Sequence, residues 1–176
     1  MIRYEARSGL AVAAMGYGLA APCAAISQSL VDDAFAAHIQ GDWSGSGMYE
    51  GTRLDLTRSW TLELGGQFLR ADMAVSMPNG ASFGALMYWR ASAAGEYEVV
   101  WLDGMGRMQS LLARADPASR VVATEYLDDL AEGGPEERRW EYERTGPDTY
   151  IERLFRREGT AWELLTEWSF SRTARR

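Results

Sequence analysis

The chain has 176 residues, of which 47% are hydrophobic and 24% are charged, and its formal net charge is −7. This length and composition indicate a single globular domain that can bury most of its apolar surface. The negative charge argues against nucleic-acid binding, which needs a basic surface, and the absence of lysine excludes Schiff-base chemistry.

The first 25 residues have the pattern of a secretory signal peptide. Arg3 and Arg7 precede an apolar run of small residues over 9–19, and residues 23–25 (Cys-Ala-Ala) carry small side chains where a signal peptidase cleaves. The run is too short and too rich in Ala and Gly to span a bilayer. We therefore expect cleavage after Ala25 and a periplasmic or secreted protein without a membrane span.

Cys23 is the only cysteine, and it leaves an alternative open. If it is removed with the signal, the mature chain has no disulfide, no thiolate nucleophile and no cysteine-ligated metal. If it is acylated instead, the protein is a lipoprotein, although Pro22 is a poor match to the small residue that this processing requires.

A short helix is predicted next, over residues 29–39 within an N-terminal helical segment that spans 26–40. Residues 29–32 (Ser-Leu-Val-Asp) have the pattern of a capping box, and Leu30, Ala34 and His38 recur at helical spacing. We expect this helix to pack against one end of the domain that follows.

From residue 41 onward the apolar residues recur with a period of two. In residues 53–64 the apolar side chains alternate with polar ones, and Arg58 is the one polar residue on the apolar face. Similar runs between Gly- and Pro-containing turns predict ten strands: 42–50, 53–64, 67–77, 82–91, 96–102, 107–114, 120–127, 137–144, 149–157 and 161–172. The pattern predicts an all-β fold, an up-and-down antiparallel barrel over residues 41–172 followed by a tail at 173–176.

Three motifs carry a resemblance to a known family. They are Gly41-Asp42-Trp43-Ser44-Gly45, Glu63-Leu64-Gly65-Gly66-Gln67-Phe68-Leu69 and the closing Trp168-Ser169-Phe170-Ser171-Arg172. Over residues 39–172 the chain resembles an uncharacterised bacterial family of small lipocalin-like barrels in the calycin superfamily. The resemblance implies a barrel with a pocket and brings no established activity.

The same resemblance implies a structural role for two residues. In lipocalins and fatty-acid-binding proteins a basic residue from the last strand covers the tryptophan of the first strand. Here Arg172 would cover Trp43 through a cation–π contact and hydrogen bonds to the backbone.

Six aromatic residues are candidates for ligand binding because alternation places them on the apolar strand faces: Trp60, Trp89, Trp101, Trp140, Tyr142 and Trp168. The interior of a ten-stranded barrel is too wide for ordinary side chains to fill. Rings that point inward therefore either line a cavity or fill the core, and both interpretations stay open.

Arg58 is a further candidate for ligand binding. Its neighbours at two-residue spacing, Leu56 and Trp60, are apolar, which predicts that the Arg58 side chain points into the barrel. A buried guanidinium persists only when it is paired. It would anchor the carboxylate or phosphate of an apolar ligand, or form an internal ion pair with Asp103 or Glu152, or reach the barrel mouth.

The sequence gives little support for a haem site, a zinc site or a catalytic serine triad. The only histidine, His38, lies on the predicted helix rather than on a late strand, which disfavours haem. One histidine without a retained cysteine cannot form a zinc site, and no serine triad is present. We expect no metal and no cofactor, and no catalytic residue is assigned.

These observations favour an exported barrel that binds a small, largely apolar molecule, which can be anionic, in its interior. One alternative is a cofactor-free isomerase, cyclase or hydrolase that uses carboxylates in the same cavity. Another is a protein-binding or structural envelope barrel with a filled core. The oligomeric state is not indicated.

Overall fold

The computed structural model describes residues 28–116, 118–129, 131 and 134–173, and its architecture is a closed antiparallel barrel. In the described part of the chain, one short α-helix, α1 (Ala34–Ile39), precedes the strands. These are β1 (Gly41–Tyr49), β2 (Thr52–Glu63), β3 (Phe68–Ser76), β4 (Ser82–Ala93), β5 (Glu96–Asp103), β6 (Met108–Asp116), β7 (Val121–Asp128), β8 (Glu136–Arg144), β9 (Thr149–Glu158) and β10 (Ala161–Arg172). Each strand pairs with its neighbours in chain order, and β10 pairs with β1, which confirms the predicted up-and-down barrel.

The strand bounds agree with the predicted ones to within two residues, because alternation and turn residues determine them locally. In β2 the alternate residues Leu54, Leu56, Arg58 and Trp60 are buried, as the period of two requires. Among the described residues, no helix is long and apolar enough to cross a bilayer.

The predicted start of the helix was wrong. The N-cap is Asp33, whose carboxylate accepts a hydrogen bond from the Ala36 amide at 2.8 Å, and not Ser29. The amide of the fully buried Leu30 donates to the Gly66 carbonyl at 2.7 Å. This tertiary contact holds residues 30–32 in a non-helical turn, so the helix begins about four residues later than predicted.

Parts of the predicted domain organisation fall outside the described residues. The signal peptide at 1–25, with Cys23, lies outside them, and so do the first two residues of the predicted helical segment at 26–40 and the last three residues of the predicted tail. The first residue of that tail, Thr173, continues the strand pairing, because its amide donates to the Asp42 carbonyl at 2.8 Å.

The first and last strands are joined by the predicted contact between Trp43 and Arg172. The two residues are paired in the β1–β10 ladder, and the Arg172 guanidinium carbon lies 4.1 Å from the centre of the Trp43 ring. Arg172 also donates hydrogen bonds to the carbonyls of His38, at 2.8 Å, and of Gln40, and to the Asp148 carboxylate. One side chain therefore connects β10, β1, the end of α1 and the β8–β9 turn.

Gly41 makes room for this contact. Its φ is +113°, and a Cβ atom built there would lie 2.7 Å from a terminal nitrogen of Arg172. Any other residue would be strained in its backbone and would crowd the guanidinium.

Trp43→Ala is expected to lower the free energy of unfolding by about 3–4 kcal/mol, because the ring is buried and its indole N–H donates to the Ile39 carbonyl. Arg172→Ala is expected to lower it by about 1–2 kcal/mol. Chemical denaturation of both variants and of the double variant gives the coupling energy, expected to exceed about 0.5 kcal/mol. Additive losses would contradict the structural role of the pair.

Candidate functional site

The six predicted rings all lie on the inward side of the barrel. Trp60, Trp89, Trp101, Tyr142 and Trp168 are buried, and Trp140 is partly buried. Most of them pack edge-on or tilted, with ring centres 5.5–5.9 Å apart, which are favourable aromatic geometries.

Phe35 of α1 closes one end of this ring cluster. Its ring centre lies 5.3 Å from that of Trp89, 5.7 Å from that of Tyr97 and 6.0 Å from that of Tyr142. Phe35 was not among the predicted site residues, and the only sequence feature that marks it is its large ring among small residues on the predicted helix.

The space left among the rings is small. A cavity of about 40 Å³, which we call the interior cavity, is lined by Met87, Trp89, Val99, Trp101, Arg107, Gln109, Leu111, Thr124, Tyr126, Trp140 and Tyr142. Sites for small molecules are usually ~300–1,000 Å³, whereas a water needs only ~10–15 Å³. The interior cavity therefore contains four of the predicted residues but is too small for a ligand of ordinary size, and neither Trp60 nor Trp168 lines it.

In the barrel wall beside the interior cavity, the backbone pairing between two neighbouring strands covers only part of their length. The pairing between β6 and β7 covers four residue pairs near their turn. At the last of these pairs, the Thr124 hydroxyl donates to the Leu112 carbonyl at 3.0 Å. Farther from the turn, the Gln109 amide group donates to the Leu127 carbonyl at 3.4 Å. Side chains thus replace part of the backbone ladder along this seam, which we call the β6–β7 seam.

Arg58 points inward as predicted, but Glu152 of β9 pairs with it. Two of its nitrogens lie 3.1 and 2.7 Å from the two carboxylate oxygens, and both side chains are fully inaccessible to solvent. The Tyr150 hydroxyl donates to the same carboxylate at 3.2 Å. Burial by itself would lower the pKa of Arg58, but the adjacent carboxylate outweighs it and the pKa is raised.

This arrangement matches the internal ion pair rather than a ligand anchor. Asp103, the other partner considered, pairs instead with Arg107 at 2.8 Å. A ligand carboxylate would have to displace Glu152 and leave that charge buried without a partner, which is costly. We therefore assign Arg58 a structural role.

Arg58→Met is expected to lower the free energy of unfolding by about 3–5 kcal/mol, because it leaves the Glu152 carboxylate buried and unpaired. Adding Glu152→Met should recover most of this loss, since an apolar pair of similar size can replace a buried ion pair. Arg53→Met is the matched control: Arg53 pairs with Asp55 on the surface, and its removal should change stability by less than about 1 kcal/mol. Urea denaturation of the wild type and the three variants measures these changes. An Arg58→Met variant as stable as the wild type would contradict the structural role.

A larger space lies between α1 and the ends of β5 to β9. It has a volume of about 510 Å³, within the range of small-molecule sites, and we call it the helix-end crevice. Its lining is mainly apolar and aromatic and includes Phe35, Ile39, Tyr97, Val122, Tyr142 and Tyr150. Only Tyr142 among these was a predicted site residue, because no sequence pattern shows that a helix stands away from a barrel rim.

The acidic and the basic side chains at the rim of the helix-end crevice differ in their contacts. Each acidic side chain has a partner: Asp33 accepts hydrogen bonds from the Ala36 amide and the Tyr97 hydroxyl, Asp116 accepts one from the Ser119 hydroxyl, and Glu143 forms an ion pair with Arg153.

The basic residues of this rim are Arg120 and Arg144, which are joined by a backbone hydrogen bond of 3.3 Å. Within the described part of the chain, neither guanidinium has an ion-pair partner. These two guanidinium groups could therefore pair with an anionic group at this rim.

His38 also lines the helix-end crevice, and its imidazole is neutral at pH 7. Burial and the positive charges of Arg144 and Arg172 lower the pKa of His38 to about 4. A hydrogen bond with the Thr149 backbone opposes this lowering, and Nε2 is buried and has no hydrogen-bond partner among the described residues. A base of this pKa is poorly matched to proton abstraction near neutral pH.

No group of three or more His, Cys, Asp or Glu side chains that could hold a metal ion occurs among the described residues. The neighbouring arginines would in addition repel a cation from His38.

Comparisons with known proteins support the fold. The crystal structure of Rv2717c from M. tuberculosis matches with a TM-score of 0.57 and 15% sequence identity, over 78% of this chain and 94% of that chain. The structure of EF1p2_mFAP2b bound to DFHBI matches with a TM-score of 0.43 and 7% identity, over 78% of this chain and 96% of that chain, a likeness too low to carry an argument.

No protein-family model matches the chain, and no curated protein is significantly similar to it. The likeness to Rv2717c supports the closed-barrel fold, which fits the predicted lipocalin-like barrel. Membership in the bacterial family stays a prediction.

Proposed function

We propose that this protein binds a small, largely apolar molecule that carries an anionic group, and that it does so in the helix-end crevice. The observation that carries the proposal is the combination of a space of about 510 Å³, an aromatic floor and two rim arginines without ion-pair partners in the described chain. Such a site is concave, mostly apolar and equipped with a few polar groups that orient the ligand.

The two parts of the site would contribute differently. Burial of apolar ligand surface against Phe35, Ile39 and Tyr150 would supply most of the affinity, at about 25 cal/mol per Å². Arg120 and Arg144 are exposed, so each would add only about 0.2–1 kcal/mol and would chiefly orient the anionic group. This proposal keeps the predicted ligand class and moves its site from the barrel interior to the barrel end.

Replacement of both rim arginines, Arg120→Gln with Arg144→Gln, is expected to weaken binding of 1-anilinonaphthalene-8-sulfonate about three- to tenfold. Binding of the uncharged N-phenyl-1-naphthylamine should not change, because it makes no use of the guanidinium groups. Fluorescence titration measures both constants.

The matched control for this test is Arg53→Gln with Arg90→Gln, which changes the net charge equally at exposed sites outside the crevice lining. Equal weakening of the sulfonate in both double variants would show a general charge effect and would contradict the assigned site. A loss of the uncharged probe in the rim variant alone would contradict the orienting role of the arginines.

We further propose that the protein is exported and acts in the periplasm or outside the cell. The support is the signal-peptide pattern of residues 1–25, which lie outside the described residues. Sequencing the N-terminus of protein recovered from the periplasm or the medium should give a start near Ile26. A soluble cytoplasmic protein that retains residues 1–25 would contradict export.

A further inference from the structure

The outer surface of β4, β5 and β6 carries a contiguous group of apolar side chains. In these strands Met87, Val99 and Trp101 are buried in the barrel, so the residues that alternate with them point outward. The strand pairing aligns the outward residues in two rows: Leu86, Leu102 and Met108 form one row, and Tyr88, Val100 and Ser110 form the next. We call this surface the β4–β6 face.

Further exposed apolar residues border the β4–β6 face. Met105, in the β5–β6 turn, is 68% exposed, and Leu112, which follows Ser110 on the outer side of β6, is 42% exposed. Contiguous exposed apolar patches on soluble proteins often mark interaction sites.

The outer surface of β8 to β10 has a different character. Its side chains include arginines and glutamates that pair with one another, as Arg153 does with Glu143 and Glu167. The two rows of the β4–β6 face contain no charged residue. The apolar rows are therefore a local feature of this face and not a general property of the exterior.

The charged residues around the β4–β6 face are paired within the chain. They form ion pairs at four places: Arg90 with Glu98, Arg114 with Glu96, Arg70 with Asp72, and Arg107 with Asp103. Each of these pairs is neutral, although the chain as a whole has a formal charge of −7. A strongly acidic or basic partner would find no complementary charge here, whereas a second copy of this chain would meet the least repulsion at such a neutral face.

The two rows are also complementary to themselves. If a two-fold axis runs along β5 through Val100 and Leu102, β4 of one copy lies over β6 of the other. Tyr88, the largest side chain of the face, then lies opposite Ser110, the smallest, and Leu86 lies opposite Met108. Such an exchange of unlike residues is what a two-fold symmetric interface requires.

We propose that the β4–β6 face is the interface of a homodimer in which β5 of one copy packs against β5 of the second. The face shares no residue with the lining of the helix-end crevice, so the dimer does not depend on the proposed ligand site. Both barrel walls are convex, which limits the contact to about three strands and the buried surface to about 1,000 Å² in total, at the low end for specific interfaces. We therefore expect a dimer Kd of about 1–100 µM.

The test is sedimentation equilibrium of the wild type over chain concentrations from about 1 to 1,000 µM, a range that spans the expected Kd. The wild type should change from monomer to dimer across this range. Val100→Arg should raise the Kd at least about tenfold, because it places two guanidinium groups next to each other in an apolar contact.

The matched control is Ile151→Arg. Ile151 of β9 also points outward from its strand and is half-buried, but it lies outside the β4–β6 face. Both substitutions change the net charge equally, and Ile151→Arg should leave the dimer Kd unchanged within about twofold. Thermal unfolding shows whether each variant is folded.

Cross-linking tests the position of the axis and remains decisive if Val100→Arg does not fold. In a chain that carries Cys23→Ser, Val100→Cys would place two thiols opposite each other, at the spacing of about 10 Å between packed sheets. Bismaleimidoethane should join this variant into a covalent dimer, whereas Ile151→Cys in the same background should stay monomeric.

A wild type that remains monomeric throughout the concentration range would overturn the inference, and so would equal effects of Val100→Arg and Ile151→Arg. If Val100→Cys in an extract of its host is joined to a different protein and not to itself, the face binds another partner and the homodimer is wrong. Each of these results leaves the ligand-binding test of the helix-end crevice unaffected.

Discussion

The contact of Arg172 with Trp43 is the constraint on which the rest of the structure depends. A closed barrel must join its first and last strands, which are the farthest apart in the chain, and here a guanidinium over a buried ring reinforces that ladder. The same guanidinium binds the carbonyls of His38 and Gln40 at the end of α1. Closure of the barrel therefore also fixes where the helix stands, and the position of the helix creates the crevice beside it.

An ion pair and a cluster of aromatic rings occupy the interior and leave no room there for a ligand of ordinary size. The Arg58–Glu152 ion pair connects β2 to β9 inside the barrel, and both side chains are fully shielded from solvent. Stacked and edge-on rings fill much of the remaining width, and Phe35 closes one end. A filled interior agrees with one of the alternatives drawn from the sequence. The proposed function therefore lies in the helix-end crevice, whose volume suits a small molecule and whose lining is mainly apolar and aromatic.

The parts of the fold that depend on local patterns were predictable, and those that depend on distances across the barrel were not. Alternation predicted the strands and the inward direction of Arg58. The contact of Trp43 with Arg172 was implied by the family resemblance and not by a local pattern. The choice of Glu152 over Asp103 as the partner of Arg58 depends on the relative stagger of distant strands. The role proposed for Arg120 and Arg144 was not predicted, because it depends on which charged side chains at the barrel end form ion pairs, and no spacing in the sequence reveals this.

One measurement tests the central claim, that the ligand binds in the helix-end crevice. His38 is the only histidine of the chain and lines the crevice near Arg144, so the NMR signals of its ring report on this site alone. An anion bound at the rim would stabilise the imidazolium form. With saturating 1-anilinonaphthalene-8-sulfonate, the account predicts shifted ring signals and a His38 pKa raised above its value of about 4. Unchanged ring signals and an unchanged pKa while the probe is bound would contradict it.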